Sequence, residues 1–230
     1  MKEKIIQKCK HYIYILKRID IFKFIYWNFI SNCVIREEKC YIFTMKNSVL
    51  DIDKSARIIL SGNNITIGHN KLRKSKAETY LRMEKNSKWI SKGGAKLFYD
   101  TVLELKNNAI FEAGYFTVNG GSTIIVAQNI IFGDNVMLGR NILVYDSDHH
   151  QVLDAEGRMT NPPQKVVIED NVWLTSNVTV LKGVHIGQGS LVTAQTLVRK
   201  DVPHNSVAGG GATAKIISNH ASWSRKSTNI

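Results

Sequence analysis

Two stretches decide the fold: VAQNIIFGDNVMLGRNILV (126–144) and IEDNVWLTSNVTVLKGVHIGQGSLVTAQTLV (168–198). In the first, Val126, Phe132, Leu138 and Val144 recur every six residues. In the second, Ile168, Leu174, Val180, Ile186, Val192 and Val198 do the same. The runs are in phase, because 42 residues, seven sixes, separate Val126 from Ile168. At an apolar frequency of about 45%, ten apolar residues in ten frame positions arise by chance only a few times in ten thousand. Four places further on runs a second series: Ile130, Val136, Ile142, Val172, Val178, Val184, Ser190, Thr196 and Val202. A helix repeats at 3.6 and a flat strand at two. A period of six predicts a short strand and a corner, with three such sides making a triangular coil of about 18 residues. Gly, Asn and Asp fill the corners, where left-handed backbone is needed. Each coil buries its face only against its neighbours. The expected fold is all-β, a parallel β-helix of hexapeptide repeats with an N-terminal helical extension.

The frame also shows where the chain leaves the coil. After Val144 the next corner falls at position 150, and 150–167 breaks the pattern with Gln151, Asp154, Glu156, Arg158 and Asn161-Pro162-Pro163. That segment, 150–167, reads as a loop projecting from the prism. Residues 45–100 hold short apolar pairs such as Ile58-Ile59 and a basic loop at Lys71–Lys76, without a clear frame. Residues 3–31 read as a basic amphipathic helix, with Ile5, Ile6, Cys9, Ile13, Leu16, Ile19 and Phe22 at steps of three and four. Such a helix either caps one end of the main domain or lies on an anionic membrane surface. The expected divisions are a helical region at 1–45, a β-helix domain at 46–217 and a tail at 218–230.

The chain has 230 residues and a formal charge of +12, from 31 Lys+Arg and 19 Asp+Glu. Residues 1–100 hold 21 basic and 9 acidic residues, so the whole excess lies there, and residues 101–230 hold ten of each. This asymmetry argues against a nucleic-acid-wrapping protein, whose basicity would be spread along its surface. Cys9, Cys33 and Cys40 are odd in number and lack metal-ligand spacing, which suits a reducing cytoplasmic setting. No signal peptide is legible. The most apolar stretch, 19–35, carries Asp20, Lys23, Asn28 and Asn32 and is too polar for a good membrane span.

Four further segments carry a resemblance: Tyr-Asp-Ser-Asp-His-His (145–150), Asn-Pro-Pro (161–163), Val-Val-Ile-Glu-Asp-Asn-Val-Trp-Leu (166–174) and Leu-Lys-Gly-Val-His-Ile-Gly (181–187). With Ser-Trp-Ser-Arg (222–225), they resemble the hexapeptide-repeat acyltransferases, whose fold is the left-handed parallel β-helix. The likeness is to sugar O-acetyltransferases of capsular and surface polysaccharide clusters and to the maltose and galactoside group. It is specific over 120–225, looser over 49–119, and confined to the polysaccharide-cluster members over 1–45.

The resemblance implies a homotrimer with active sites between neighbouring prisms, acetyl-CoA as donor, no metal, and a histidine general base. A sugar hydroxyl needs such a base to attack a thioester at neutral pH. Spacing to Trp173 in the galactoside type favours His149, and the polysaccharide-cluster pattern favours His150, which is preferred here. Asp146 and Asp148 are candidates to orient the base, against a plain reading as solvated corner residues; Asp148 is also a candidate acceptor contact. Trp173, Ser176, Ala194, Arg199, Lys200 and Lys215 are the donor candidates, with small residues at 176 and 194 leaving room for the pantetheine arm. Asn119 is a candidate acceptor contact or a simple corner.

The chain departs from the family pattern at Trp-Leu-Thr (173–175), Thr-Ala-Gln-Thr (193–196) and Ala-Gly-Gly-Gly-Ala-Thr-Ala-Lys (208–215), which leaves the CoA contacts less defined and a larger acyl donor open. Competing readings are N-acylation of an amino sugar, O-acylation of serine, a zinc lyase using His149, His150 and His185, and a non-catalytic scaffold. The expected setting is cytoplasmic, with residues 1–45 bringing the enzyme to the inner membrane face, where it would meet a sugar or polysaccharide-precursor acceptor.

Overall fold

A computed structural model describes residues 18–37, 39–70, 72, 74–210 and 215–218. The strands wind into three parallel sheets, of seven, nine and seven strands among the described residues. The first sheet runs from Val34–Arg36 to His185–Ile186, the second from Ile42–Thr44 to Lys215–Ser218, and the third from Ser48–Ile52 to Leu197–Val198. Each strand hands over to the next sheet at a corner and meets its own sheet again one coil later. This is the expected left-handed parallel β-helix.

All ten residues of the first apolar series and all nine of the second are buried. The expected coil length holds where the repeats are clearest. Val167 pairs with His185, Trp173 with Leu191 and Thr179 with Leu197, each a step of 18. Left-handed corners fall at Asn135, Asn141, Asn171, Asn177 and Gln195. Their side chains stack: Asn135 donates to Asn171 at 2.7 Å and Asn141 to Asn177 at 3.2 Å.

Toward the N-terminus the coils lengthen. Phe116 pairs with Val136 across 20 residues, Tyr80 with Val102 across 22, and Ser48 with Thr79 across 31. Val144 therefore stacks on Ile124, not on Val126 as a uniform 18-residue coil would have it. The wider coils hold larger side chains. Trp89, Phe111, Phe116 and Phe132 are fully buried, with Phe111 and Phe132 edge-to-face at 5.1 Å. Among the described residues beyond Phe132 the buried hydrophobic ones are only Val, Leu, Ile and Ala. The prism tapers, and side-chain volume follows the taper.

Both ends of a parallel ladder expose unpaired backbone. At the N-terminal end, Asp20 N–H donates to the Thr44 carbonyl at 2.8 Å and Lys46 N–H to the Arg18 carbonyl at 2.7 Å. A helix, Ile21–Ile25, continues as a π-helical turn, Tyr26–Ile30. The wider turn places adjacent Trp27 and Asn28 both inward. Asn28 then behaves as a strand would: Ile42 N–H donates to its Oδ1 at 2.9 Å, and its Nδ2 donates to the Ile42 carbonyl at 2.8 Å. At the other end, Lys215–Ser218 pairs antiparallel with Val207–Gly209.

Among the described residues, the N-terminal helical extension spans Ile21–Ile30. Residues 1–17 lie outside the described residues; Arg18–Asp20 is an edge segment, and Val34–Arg36 and Ile42–Thr44 are already strands of the first coil. Their buried Val34, Ile42 and Thr44, with Cys40 at the corner between them, belong to the core, so the coil begins upstream of residue 46. The terminal Ser222–Arg225 also lies outside the described residues.

Asn28→Ala leaves the Ile42 amide and carbonyl without partners inside the cap. It is expected to destabilise the fold by about 2–3 kcal/mol, read from chemical denaturation midpoints.

Candidate active site

The corner after Leu143–Tyr145 carries the histidines. Across it, Met137 pairs with Trp173 and Leu143 with Thr179, each a step of 36, so one coil's length of chain leaves the prism and returns. Asp146 starts the departure. It is fully buried, and its carboxylate accepts the N–H groups of Ala127, Gln128 and Asn129, each at 2.7 Å. It is a backbone anchor, not a partner of a histidine ring and not a solvated corner. His149 follows at a left-handed φ of 63°, with its N–H on Ser147 Oγ at 3.1 Å and its ring edge-on to Tyr145 at 5.2 Å.

A polar clamp holds this segment. Asp148 accepts from Lys182 Nζ at 2.5 Å and from Asn161 Nδ2 at 2.9 Å. Asn161 Nδ2 also donates to the His150 carbonyl at 2.9 Å, while its Oδ1 accepts Val152 N–H at 2.7 Å. Lys182 Nζ reaches the Asn161 carbonyl as well, at 3.1 Å. The hydrogen bonds from Lys182 and then Asn161 hold the Asp148 carboxyl below its ordinary value of 3.8. Beyond the clamp the loop closes as a hairpin, with Leu153 bridged to Met159.

His149 and His150 line a cleft of about 580 Å³ on the prism side, together with Ser147, Ile125 and Ala127. Its far wall comes from earlier coils: Glu84, Lys106 and Asn107. Lys106 bonds Glu104 at 2.6 Å and Glu84 at 3.3 Å, and the Glu104 bond heads the causes that raise its pKa. The cleft thus sets two imidazoles opposite a charge-paired, hydrogen-bonding wall. An imidazole at such a position can take a proton from a bound hydroxyl.

No protein-family model matches the chain. The galactoside O-acetyltransferase of Lactococcus lactis subsp. lactis is 39% identical over 103 residues, covering 45% of this chain and 49% of that protein. The polysialic acid O-acetyltransferase of Escherichia coli O1:K1 is 30% identical over 148 residues, covering 64% of this chain and 45% of that protein. The chain spans about half the length of these curated relatives. The crystal structure of the polySia-specific acetyltransferase NeuO matches with a TM-score of 0.52, at 20% identity, over 86% of this chain and 92% of that one. This last likeness fixes the fold. The chain is similar to hexapeptide-repeat sugar O-acetyltransferases.

The structure sorts the candidate residues of this β-helix by corner. His149, His150 and Asp148 lie between the third and first sheets, and exposed Arg199 and Lys200 occupy the same corner two coils on. Ser176, Ala194 and Asn119 lie between the second and third sheets. There Gln195 N–H donates to the Ser176 carbonyl at 2.9 Å, and Asn119 Nδ2 donates to the Leu138 carbonyl at 3.3 Å. Trp173 stands on the second sheet, in register with Met137 and Leu191. The single chain does not bring the second group to the histidine cleft. The Lys215 side chain lies outside the described residues. His185 points outward, and its Nε2 lies 2.7 Å from Glu169, a carboxylate that also contacts His204 Nδ1 at 3.1 Å. Among the described residues no group of three or more His, Cys, Asp or Glu is arranged to hold a metal ion.

Sequence reasoning did not find Glu84, Lys106, Asn107 or Lys182. The first three reach the cleft only through coil stacking in the region without a legible frame. Lys182 sits inside a quoted motif, two residues past the frame position at Val180, and its spacing to Asp148 carries no signal.

Lys182→Met removes the main partner of Asp148. It is expected to loosen the histidine segment, read as faster hydrogen exchange of the amides at 149–152 than in the unaltered chain. Because the Asp148 pKa is depressed, the intact clamp is complete above the ordinary carboxylate range and opens as pH falls below 3.8. In the variant, the Asp148 carboxyl signal in a carbon-13 NMR titration moves to higher pH.

Proposed function

We propose that this protein transfers an acetyl group from acetyl-CoA to a hydroxyl of a surface-polysaccharide sugar or its precursor. A histidine of the 149–150 pair takes the hydroxyl proton as the oxygen attacks the thioester carbonyl. The tetrahedral oxyanion then collapses, and CoA leaves as the thiol once it regains a proton. His150 is the first candidate from the sequence pattern. His149 is the one whose ring rests against Tyr145. The reading draws on the names of the relatives and on the histidine cleft.

One observation carries it further. The histidine cleft and the Ser176–Ala194 column occupy different corners of one prism, and in this reading each is half of a site. In a homotrimer with three-fold symmetry, the cleft of one protomer faces the column of the next, and three complete sites form. Small side chains at 176 and 194 leave the pantetheine arm room along the column, and Trp173 on the adjoining sheet covers it. Arg199, Lys200 and Lys215 supply cations for the CoA phosphates. Asn119 and Asp148 are the acceptor contacts. The N-acyl alternative uses the same halves with an amine acceptor.

Labelled acetyl-CoA and candidate glycans test this directly. Either His149→Ala or His150→Ala is expected to lower turnover by about 10²–10⁴-fold, and that variant names the base. Full activity in both would overturn the mechanism. Ala194→Trp blocks the donor half at an exposed position. Co-refolding it in equal amount with the inactive histidine variant should restore roughly a quarter of wild-type activity, because one interface in four then pairs two intact halves. No recovery would remove the shared site.

A further inference from the structure

A wide apolar stripe lies uncovered on the outer side of the N-terminal cap. Ile21, Ile25 and Phe29 form one row at a spacing of four, and Phe22, Tyr26 and Ile30 form a second beside it. All six are exposed, Phe22 by 87% and Phe29 by 65%. The opposite side of the same segment, with Trp27 and Asn28, is buried in the end of the prism. The cap therefore presents its apolar rows away from the body. Capping the prism needs only the inner side, and a soluble surface seldom carries six contiguous large apolar residues without a partner.

The surroundings are basic. The first coil turns three corners before re-entering the first sheet at Arg57, and each corner carries an exposed lysine: Lys39, Lys46 and Lys54. The acids of that coil are partly engaged, Asp53 with Ser55 and Asp51 with Arg82, while Glu37 is exposed. The sequence adds Lys2, Lys4, Lys8, Lys10 and Lys17 just upstream of the stripe, so residues 1–57 hold 12 Lys+Arg against 6 Asp+Glu. No described helix is long and apolar enough to cross a membrane. An apolar stripe a few turns long, ringed by cations, matches the interface of a bilayer whose headgroups are anionic.

We propose that Ile21–Ile30 docks the protein on an anionic lipid surface. Phe22, Phe29 and Ile30 enter the boundary between headgroups and acyl chains, and Lys39, Lys46 and Lys54 meet lipid phosphates. The inference is independent of the acyl-transfer reading, because it uses no residue of either half-site.

Co-sedimentation of the full chain with vesicles tests it, using phosphatidylcholine alone and phosphatidylcholine mixed with phosphatidylglycerol. Binding is expected only to the mixed vesicles and falls with salt. A Phe22→Ser, Phe29→Ser variant alters two exposed side chains, of which Phe29 also meets the rings of Phe24 and Tyr41. It keeps the wild-type circular dichroism spectrum and loses about tenfold or more of the binding. A Lys39→Glu, Lys46→Glu, Lys54→Glu variant also binds more weakly, with a flatter salt dependence. Absence of wild-type binding to mixed vesicles overturns the proposal. So does undiminished binding of the double serine variant, which would place attachment in residues 1–17. Self-association that the serine variant abolishes, without vesicle binding, also overturns it and assigns the stripe to a second copy. The assay contains no donor or acceptor, so its outcome is separate from that of the transfer assays.

Discussion

The backbone hydrogen bonds between strands in this chain run from one coil to the next, and no strand pairs with its immediate successor in sequence until the last pair of the second sheet. A coil in the middle is satisfied on both sides, whereas a coil at either end is satisfied on one. The rest of the structure follows from that constraint. Repetition alone builds the middle, but the ends need specific chemistry. The Asn28 amide copies the donor and acceptor of a strand residue on Ile42, and Arg36 Nη2 donates to the same Oδ1 at 2.8 Å. At the far end the chain doubles back on Val207–Gly209.

The same constraint explains what could be read from the residues. Where each side of the coil is six residues long, interior positions repeat at six and the frame is visible by eye, as from Ile168 to Val198. Where the coil takes 20–31 residues, as between Phe116 and Val136 or Ser48 and Thr79, strands keep their alternation but corners vary in length. The apolar positions then fall out of phase, although Leu81, Leu97 and Leu103 are as deeply buried as Val192. The N-terminal helix shows a different limit. Its apolar residues fit a helical period over 3–31, but the open edge of the second sheet outcompetes helix at Arg18–Asp20, whose backbone bonds the strand end instead.

The candidate site was legible where it broke the rule. His149 and His150 stand at the interruption of the frame, and the following segment announces itself by its polar and proline residues. The orienting role of Asp146 was not legible correctly. An aspartate three residues from a histidine suggests a ring partner, yet burial of its carboxylate against three corner amides commits it to the backbone. Lys182 and Asn161 had no local signature, because their meeting at Asp148 depends on a loop returning across a coil. Glu84 and Lys106 reach the cleft through stacking alone.

The excursion that carries the histidines occupies one coil's worth of chain, so the strands after it resume in the phase set before it: Phe132 sits on Ile168 and Leu138 on Leu174 as if nothing intervened. Such an insertion is neutral to the winding of the prism. Its tip, from Val152 to Thr160, can be exchanged, shortened or elaborated without re-registering any later coil, while Asp146 and Lys182 keep its two stems fastened. The prism and the loop can therefore diverge at different rates. Relatives with one prism can present different loops on an unchanged coil.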